Sequence, residues 1–309
     1  MTTALYTHED CLKHRTPTGH PEQVARLEAI AEALRGFDGL ARREAPVASD
    51  RIIGLCHPQS YIDHIAATEP QDGKARLDED TFMSPGSMMA ARRAVGGCVA
   101  AVDAVMEGQV GNAFVACRPP GHHAERERPM GFCLFGNVAI AAKHAITAHG
   151  LKRVAIVDFD VHHGNGTQDL LWNEDKVLFF SSHQSPLWPG TGAEKERGKY
   201  DQIVNLPLAP GTGSLEMRNT YVRQVFPMIA AFRPELILIS AGFDAHRADP
   251  LAQLEWDTDD FAWITEKLCD LADTHCGGRV VSTLEGGYDL RALAASVAAH
   301  VQVLMEKGA

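Results

Sequence analysis

Asp158, Asp160, His162, His163 and Asn165 stand within the stretch Val154-Ala155-Ile156-Val157-Asp158-Phe159-Asp160-Val161-His162-His163-Gly164-Asn165. Residues two apart in an extended segment point to one face, so Asp160 and His162 converge. A carboxylate and an imidazole aimed at one point suit a divalent ion such as zinc. An isolated Asp-x-His is a weak signal, and it gains weight from other clusters in the chain. Ser240-Ala241-Gly242-Phe243-Asp244-Ala245-His246-Arg247-Ala248-Asp249-Pro250 offers a further carboxylate. Asp249 from that stretch is expected to complete an Asp, His, Asp set with Asp160 and His162. Three protein ligands with a fourth position open are what a catalytic zinc requires. The adjacent His122 and His123 supply imidazoles for proton transfer. Asp158 and Asn165 are suitable partners for them, because a hydrogen bond on one ring nitrogen sets the role of the other. Tyr288, after Gly286 and Gly287, can present a phenol to a developing oxyanion.

These groups need elements that bring them together. The run from Val154 to Val157 is apolar and bounded by turn residues, which predicts a buried strand of a parallel sheet. Strands are also predicted at 3–8, 52–55, 112–117, 177–181, 203–206, 236–240 and 280–284. Helices are predicted from Pro21 through Leu34, after Pro58, and over 84–106, 137–148, 214–232, 259–274 and 290–305, with another beginning at Thr167. Pro21 is placed at a first helical position. The segment 69–80, with Asp78, Glu79 and Asp80, reads as a polar loop. Alternating strands and helices without linker or repeat predict an α/β fold, doubly wound, with a mainly parallel sheet in a single domain over 1–309. Four predicted strands then end in the polar clusters above, all on one edge of the sheet. Ligands sit at the carboxyl ends of strands in such folds.

Composition narrows the class. Of 309 residues, 45% are hydrophobic and 22% charged, which is ordinary for a large globular domain. The formal net charge of -11 argues against direct nucleic-acid binding, which needs a basic surface. Seven cysteines without a Cys-x-x-Cys pair predict reduced thiols and a cytoplasmic location. The first residues lack the basic and apolar regions of a signal peptide, and no membrane span is expected.

Arg118-Pro119-Pro120-Gly121-His122-His123, Asp158 to Thr167, Pro189-Gly190-Thr191-Gly192, Gly242-Phe243-Asp244 to Asp249-Pro250, and Glu285-Gly286-Gly287-Tyr288 occur in that order. Together they resemble the zinc-dependent histone deacetylase family. Asn165, where other members carry Asp, makes the chain more similar to the class II branch and to bacterial histone deacetylase-like amidohydrolases. The resemblance implies the arginase-deacetylase fold with an eight-stranded sheet, and hydrolysis of an acetyl-amide, usually on lysine. It implies zinc on Asp160, His162 and Asp249, His122 paired with Asp158, His123 as general base and acid paired with Asn165, and Tyr288 as the carbonyl-polarising phenol. Gly131, Phe132 and Trp188 resemble the walls of a narrow acyl-lysine channel. Arg26 resembles the basic residue near an acetate exit. Asp158, Asp160, His162, Ser181 and Ser182 resemble a structural potassium site. The related arginases use two manganese ions, but Gly164 stands where their second carboxylate would be. One catalytic metal is therefore expected.

Leu251 follows Asp249-Pro250 and is expected at the channel mouth, where polyamine-preferring relatives carry glutamate. Leucine there favours an acylated lysine or small acyl-amide as partner. An acetylpolyamine deacetylase and a catalytically dead acyl-lysine binding module are the alternatives; the complete set of reactive residues argues against the latter. His14 and His20 lie in the first loop, where this family shapes the channel mouth, and Asp80 is a candidate rim residue. His57, His64, His144, His149, His275 and His300 read as surface or hydrogen-bonded structural histidines. A homo-oligomer is compatible with the sequence.

Overall fold

The computed structural model describes residues 2–308. The strands in chain order are β1 (Thr3–Thr7), β2 (Ala41–Glu44), β3 (Ala75–Arg76), β4 (Phe82–Met83), β5 (Asn112–Val115), β6 (Val154–Asp158), β7 (Val177–Gln184), β8 (Ile203–Leu208), β9 (Leu236–Ala241) and β10 (Val280–Leu284). The helices are α1 (Ala25–Ala33), α2 (Asp50–Ile53), α3 (Gln59–Thr68), α4 (Ser87–Met106), α5 (Asn137–Ala148), α6 (Asn165–Leu171), α7 (Ser214–Thr220), α8 (Phe226–Phe232), α9 (Thr258–Cys276) and α10 (Leu290–Lys307). Eight strands form one parallel sheet in the order β2-β1-β5-β10-β9-β6-β7-β8. β3 and β4 make a small antiparallel pair apart from it.

Every residue of β5, β6, β7, β9 and β10 is buried, as expected for strands covered on both faces. Neighbouring residues of β10 show which helix covers each face. The Ser282 hydroxyl meets His300 of α10, whereas Thr283 accepts from the Cys98 thiol of α4. Successive strand residues point to opposite faces, so α4 and α10 flank the sheet on either side. Because all eight strands run the same way, their carboxyl ends share one edge, and the helices return the chain to the other.

Two local expectations are corrected. Residues 52–55 do not form a strand: Asp50–Ile53 is one helical turn. Pro21 precedes α1 by several residues and is not its first position. β2, with the sequence Ala-Arg-Arg-Glu, has no apolar signal at all; it is an edge strand held by main-chain pairing to β1. The predicted helix over 214–232 is continuous but contains a π-turn at Tyr221–Val225, which brings the Tyr221 hydroxyl to 2.6 Å from Ser182 Oγ. Among the described residues, no helix is long and apolar enough to cross a membrane.

Candidate active site and metal centre

β6 ends at Asp158, flanked in register by Ser181 of β7 and Ser240 of β9. The chain then crosses the sheet edge and enters α6 at Asn165. Within this crossing, main-chain amides orient each carboxylate. Asp158 Oδ1 accepts from Asp160 N at 3.1 Å, and Asp160 Oδ1 accepts from His162 N at 2.9 Å. Asp160 Oδ2 accepts from Gly286 N at 2.8 Å, and Asp244 Oδ1 from Val161 N at 2.9 Å. The outcome is a convergent set of Asp160, His162 and Asp244, all buried. His162 Nδ1 lies 3.1 Å from Asp160 Oδ1 and 3.2 Å from Asp244 Oδ2.

This corrects the sequence expectation for the third ligand. Asp249 is not in the set. Its Oδ2 accepts from Tyr288 N at 2.7 Å and from Asp289 N, while its Oδ1 accepts from Leu251 N at 3.0 Å. Both oxygens are thus taken by the main chain, and Asp249 anchors the segment that carries Tyr288. Asp244 Oδ2, by contrast, receives no main-chain amide and no well-aligned hydrogen bond; its polar neighbour is His162 Nδ1 at 3.2 Å. A buried carboxylate oxygen left without such a bond is costly unless something else meets it. An Asp, His, Asp donor set with one oxygen so placed fits a divalent ion. Space is kept open around it: a Cβ on Gly286 would come within 2.1 Å of Asp244 Oδ2 and 2.5 Å of Asp160 Oδ2.

The two adjacent histidines are set apart by their partners. His122 Nδ1 donates to Asp158 Oδ2 at 3.0 Å. Burial lowers this imidazole, but the charges of Asp160 and Asp158 override it and raise it well above its ordinary value. His123 Nδ1 donates to Asn165 Oδ1 at 2.7 Å, and Asn165 Nδ2 donates onward to Glu125 Oε1 at 2.8 Å, which fixes the amide orientation. Asn165 has no charge to offer. Burial, then the neighbouring His122 and His162, hold His123 well below its ordinary value. His123 is therefore a neutral imidazole with Nδ1 protonated and Nε2 free to accept. Burial and the Asp244 carboxylate keep the Tyr288 phenol well above its ordinary value, so it stays a donor.

His123, His162 and Tyr288 line the bottom of a cavity of about 350 Å³. Gly131, Phe132, Trp188, Leu251 and Asp80 are also on its walls. The Trp188 ring meets His123 edge-on at 4.7 Å, and Phe132 meets Tyr288 at 5.8 Å. Gly131 has φ +55°, and a Cβ there would fall 2.4 Å from His123 Cδ2 and 2.5 Å from the Trp188 ring. Only glycine fits. His20 is at the mouth, where Nε2 donates to Asp80 O at 2.9 Å and the ring meets Phe132 at 4.7 Å. His14 is not at the mouth: it is buried, bonded to Ser87 Oγ and 3.5 Å from Glu22. His163 is bonded on both nitrogens, to Thr191 and Gln168, and so helps hold the loop that carries Trp188.

Several supporting residues escaped sequence reasoning. Glu285 Oε2 accepts from the amides of Gly121 and His122, at 2.7 and 3.1 Å, and so places the histidine pair. Arg118 forms a bidentate, fully buried pair with Glu22. Glu22 also holds Arg26, whose guanidinium donates to Gly287 O and Glu285 O and lies 5.0 Å from the Tyr288 ring centre. Arg118 belongs to a quoted motif, but nothing nearby in the chain marks Glu22 as its partner. Ser181 Oγ accepts from Gly164 N, and Ser182 Oγ meets Tyr221, so both serines face polar groups behind the site.

Similarity to known proteins extends over almost the whole chain. A family model described as histone deacetylase domain matches residues 20–304. The chain is similar to the histone deacetylase-like amidohydrolase of Pseudomonas aeruginosa, with 40% identity covering 87% of this chain and 71% of that protein. It is also 37% identical to the polyamine deacetylase HDAC10 of Mus musculus, over 99% of this chain and 48% of that one. The crystal structure of the HDA15 HD domain superposes with a TM-score of 0.94 at 36% identity, covering 99% of this chain and 89% of that chain.

Proposed function

Since this chain belongs to the histone deacetylase family, an enzyme family of deacetylases and amidohydrolases, we propose that it is a single-zinc hydrolase that removes acetyl groups from lysine side chains or related small acyl-amides. The observation that carries this reading is that a free His123 Nε2 and the Tyr288 phenol line one narrow cavity together with His162, whose imidazole has the Asp160 and Asp244 carboxylates against it. Asp160, His162 and Asp244 would hold the ion. A zinc ion there supplies acidified water and a polarised carbonyl.

The chain's own groups carry the remaining work. His123 Nε2 takes a proton from the attacking water, because its other nitrogen is committed to Asn165. Tyr288 donates to the carbonyl oxygen as negative charge develops on it. His123 then returns the proton to the departing amine. Asp158 holds the His122 imidazolium beside this exchange, and burial, together with that positive charge, keeps His123 neutral. The aromatic walls of Phe132 and Trp188, with Gly131 between them, take the methylene stem of the substrate, and Leu251 extends that apolar lining to the mouth. Arg26 places a cation behind Tyr288, suited to guiding acetate out. Asp158, Asp160, His162, Ser181 and Ser182 would surround a structural potassium ion; the support is the in-register pairing of Asp158 with Ser181 and the buried serine hydroxyls. The buried free cysteines suit a cytoplasmic setting.

A second reading, deacetylation of acetylpolyamines, is favoured by Glu79 and Asp80 on the cavity wall, which could meet a second ammonium. A panel of acetyl-lysine peptide, acetylspermidine and a small acetamide, run on zinc-loaded enzyme, separates the readings. Higher kcat/KM for acetyl-lysine is expected. Failure to turn over any of the three would sink deacetylation.

A further inference from the structure

A second cluster of side chains of metal-ligating type lies away from the channel. Asp103 is in the last turn of α4, His144 is in α5, and His149 caps the carboxyl end of α5. Asp103 Oδ1 lies 2.6 Å from His144 Nε2 and 2.7 Å from His149 Nε2. The three ligand atoms all fall within 4.8 Å of one another. The amino end of α5 abuts the histidine motif, with Asn137 Nδ2 donating to Pro119 O. Its carboxyl end, with the cluster, is therefore at the opposite edge of the sheet from the cavity.

From this arrangement we propose that Asp103, His144 and His149 form a peripheral binding site for a zinc-class divalent ion, joining α4 to α5. Two imidazole nitrogens and one carboxylate oxygen are the ligands such ions prefer over magnesium or calcium, which take oxygen. Both rings present Nε2 to the same point, so neither must turn over to bind. The residues come from two helices and a cap, so their backbones are held in place by packing before any ion arrives. Side-chain exposure is 40% for Asp103, 11% for His144 and 19% for His149, which leaves entry from solvent on the carboxylate side. Ligand atoms about 2.1 Å from a tetrahedral ion stand roughly 3.4 Å apart. The Asp103 carboxylate need only draw back by less than about 1 Å, and its exposed side is free to move. Water completes the coordination. Bound to the folded state alone, the ion stabilises the α4–α5 pair by mass action.

The test uses the folded enzyme with its catalytic ion already loaded. Equilibrium dialysis against micromolar Co2+ or Zn2+, followed by elemental analysis, should show one more equivalent in the wild type than in His149→Gln or Asp103→Asn. The added Co2+ should give a visible absorption band that both variants lose. At a hundredfold excess of Zn2+ over Kd, Tm should rise by roughly 3–8 °C in the wild type and not in His144→Gln or His149→Gln. Turnover of the variants should match the wild type, which separates this site from the catalytic one. An equal metal count in wild type and variants overturns the proposal, as does an equal Tm rise with Mg2+.

Discussion

Beneath the cavity, main-chain amides grip both oxygens of Asp160 and one of Asp244, and Asp160, His162 and Asp244 are all buried. At the mouth, Trp188 is 42% exposed and Glu79 is exposed, and the walls are held by ring edges and a few bonds such as Phe132 N to Thr81 Oγ1. The floor fixes atoms to within a hydrogen-bond length, as proton transfer demands. The mouth fixes only shape and charge, which is enough to choose among substrates. Changes at the floor should therefore alter turnover or metal content by orders of magnitude, and changes at the mouth should shift selectivity modestly.

The sharpest test of that contrast is the pair Asp244 and Asp249, five positions apart in one loop. Asp244→Asn should lose the metal and lower turnover more than about a thousandfold, on the scale of removing an essential member of a catalytic unit. Asp249→Asn should keep the metal and cost about 10–100-fold, as for residues that orient a site without binding the ion. Metal analysis beside kcat decides it, and metal loss from Asp249→Asn would return that residue to the ligand set.

Glu22→Gln probes the frame beneath the floor. It leaves the buried Arg118 and Arg26 without their carboxylate, and loss of one partner from a buried charge pair costs about 3–5 kcal/mol. Urea denaturation should show this as a lower midpoint. A wild-type midpoint would mean that the pair does not brace the site.

Tyr288→Phe should reduce kcat by about a hundred- to thousandfold with little change in KM, the usual loss for one oxyanion donor. A rise confined to KM would make the phenol a binding group.

Metal affinity should depend on pH. Burial lowers the His162 imidazole, but Asp160 and Asp244 outweigh it and push it up to about 10 in the metal-free protein. Its proton must leave before Nδ1 can bind an ion, so affinity should rise with pH, by about tenfold per unit below 10. Competition against a chromophoric chelator at pH 6, 7 and 8 measures the slope; a flat profile would show that no proton is displaced.

The smallest effect belongs to the mouth. Leu251→Glu should move the acetyl-lysine to acetylspermidine ratio of kcat/KM toward the polyamine by about tenfold, equivalent to about 1.4 kcal/mol. No change would shift responsibility to Glu79 and Asp80 across the cavity.

Residue type and spacing account for the local part of this design. Asp160 and His162 stand two apart just past the end of β6, close enough in sequence to be paired on residue type and spacing; in the folded chain the segment bends there, and the His162 amide bonded to Asp160 Oδ1 holds the pair. The apolar runs of β6, β9 and β10 identify themselves as buried strands, and their polar ends mark the working edge. Only the tertiary structure decided between Asp244 and Asp249, because a loop has no period from which side-chain direction follows. It alone joined Arg118 to Glu22, 96 residues away, and Glu285 to the His122 amide, 163 residues away. The edge strand β2 was likewise invisible, since its stability comes from pairing with β1 and not from its own Ala-Arg-Arg-Glu. Side-chain chemistry and short-range geometry are written in the order of residues, whereas contacts across the sheet depend on how the whole chain closes.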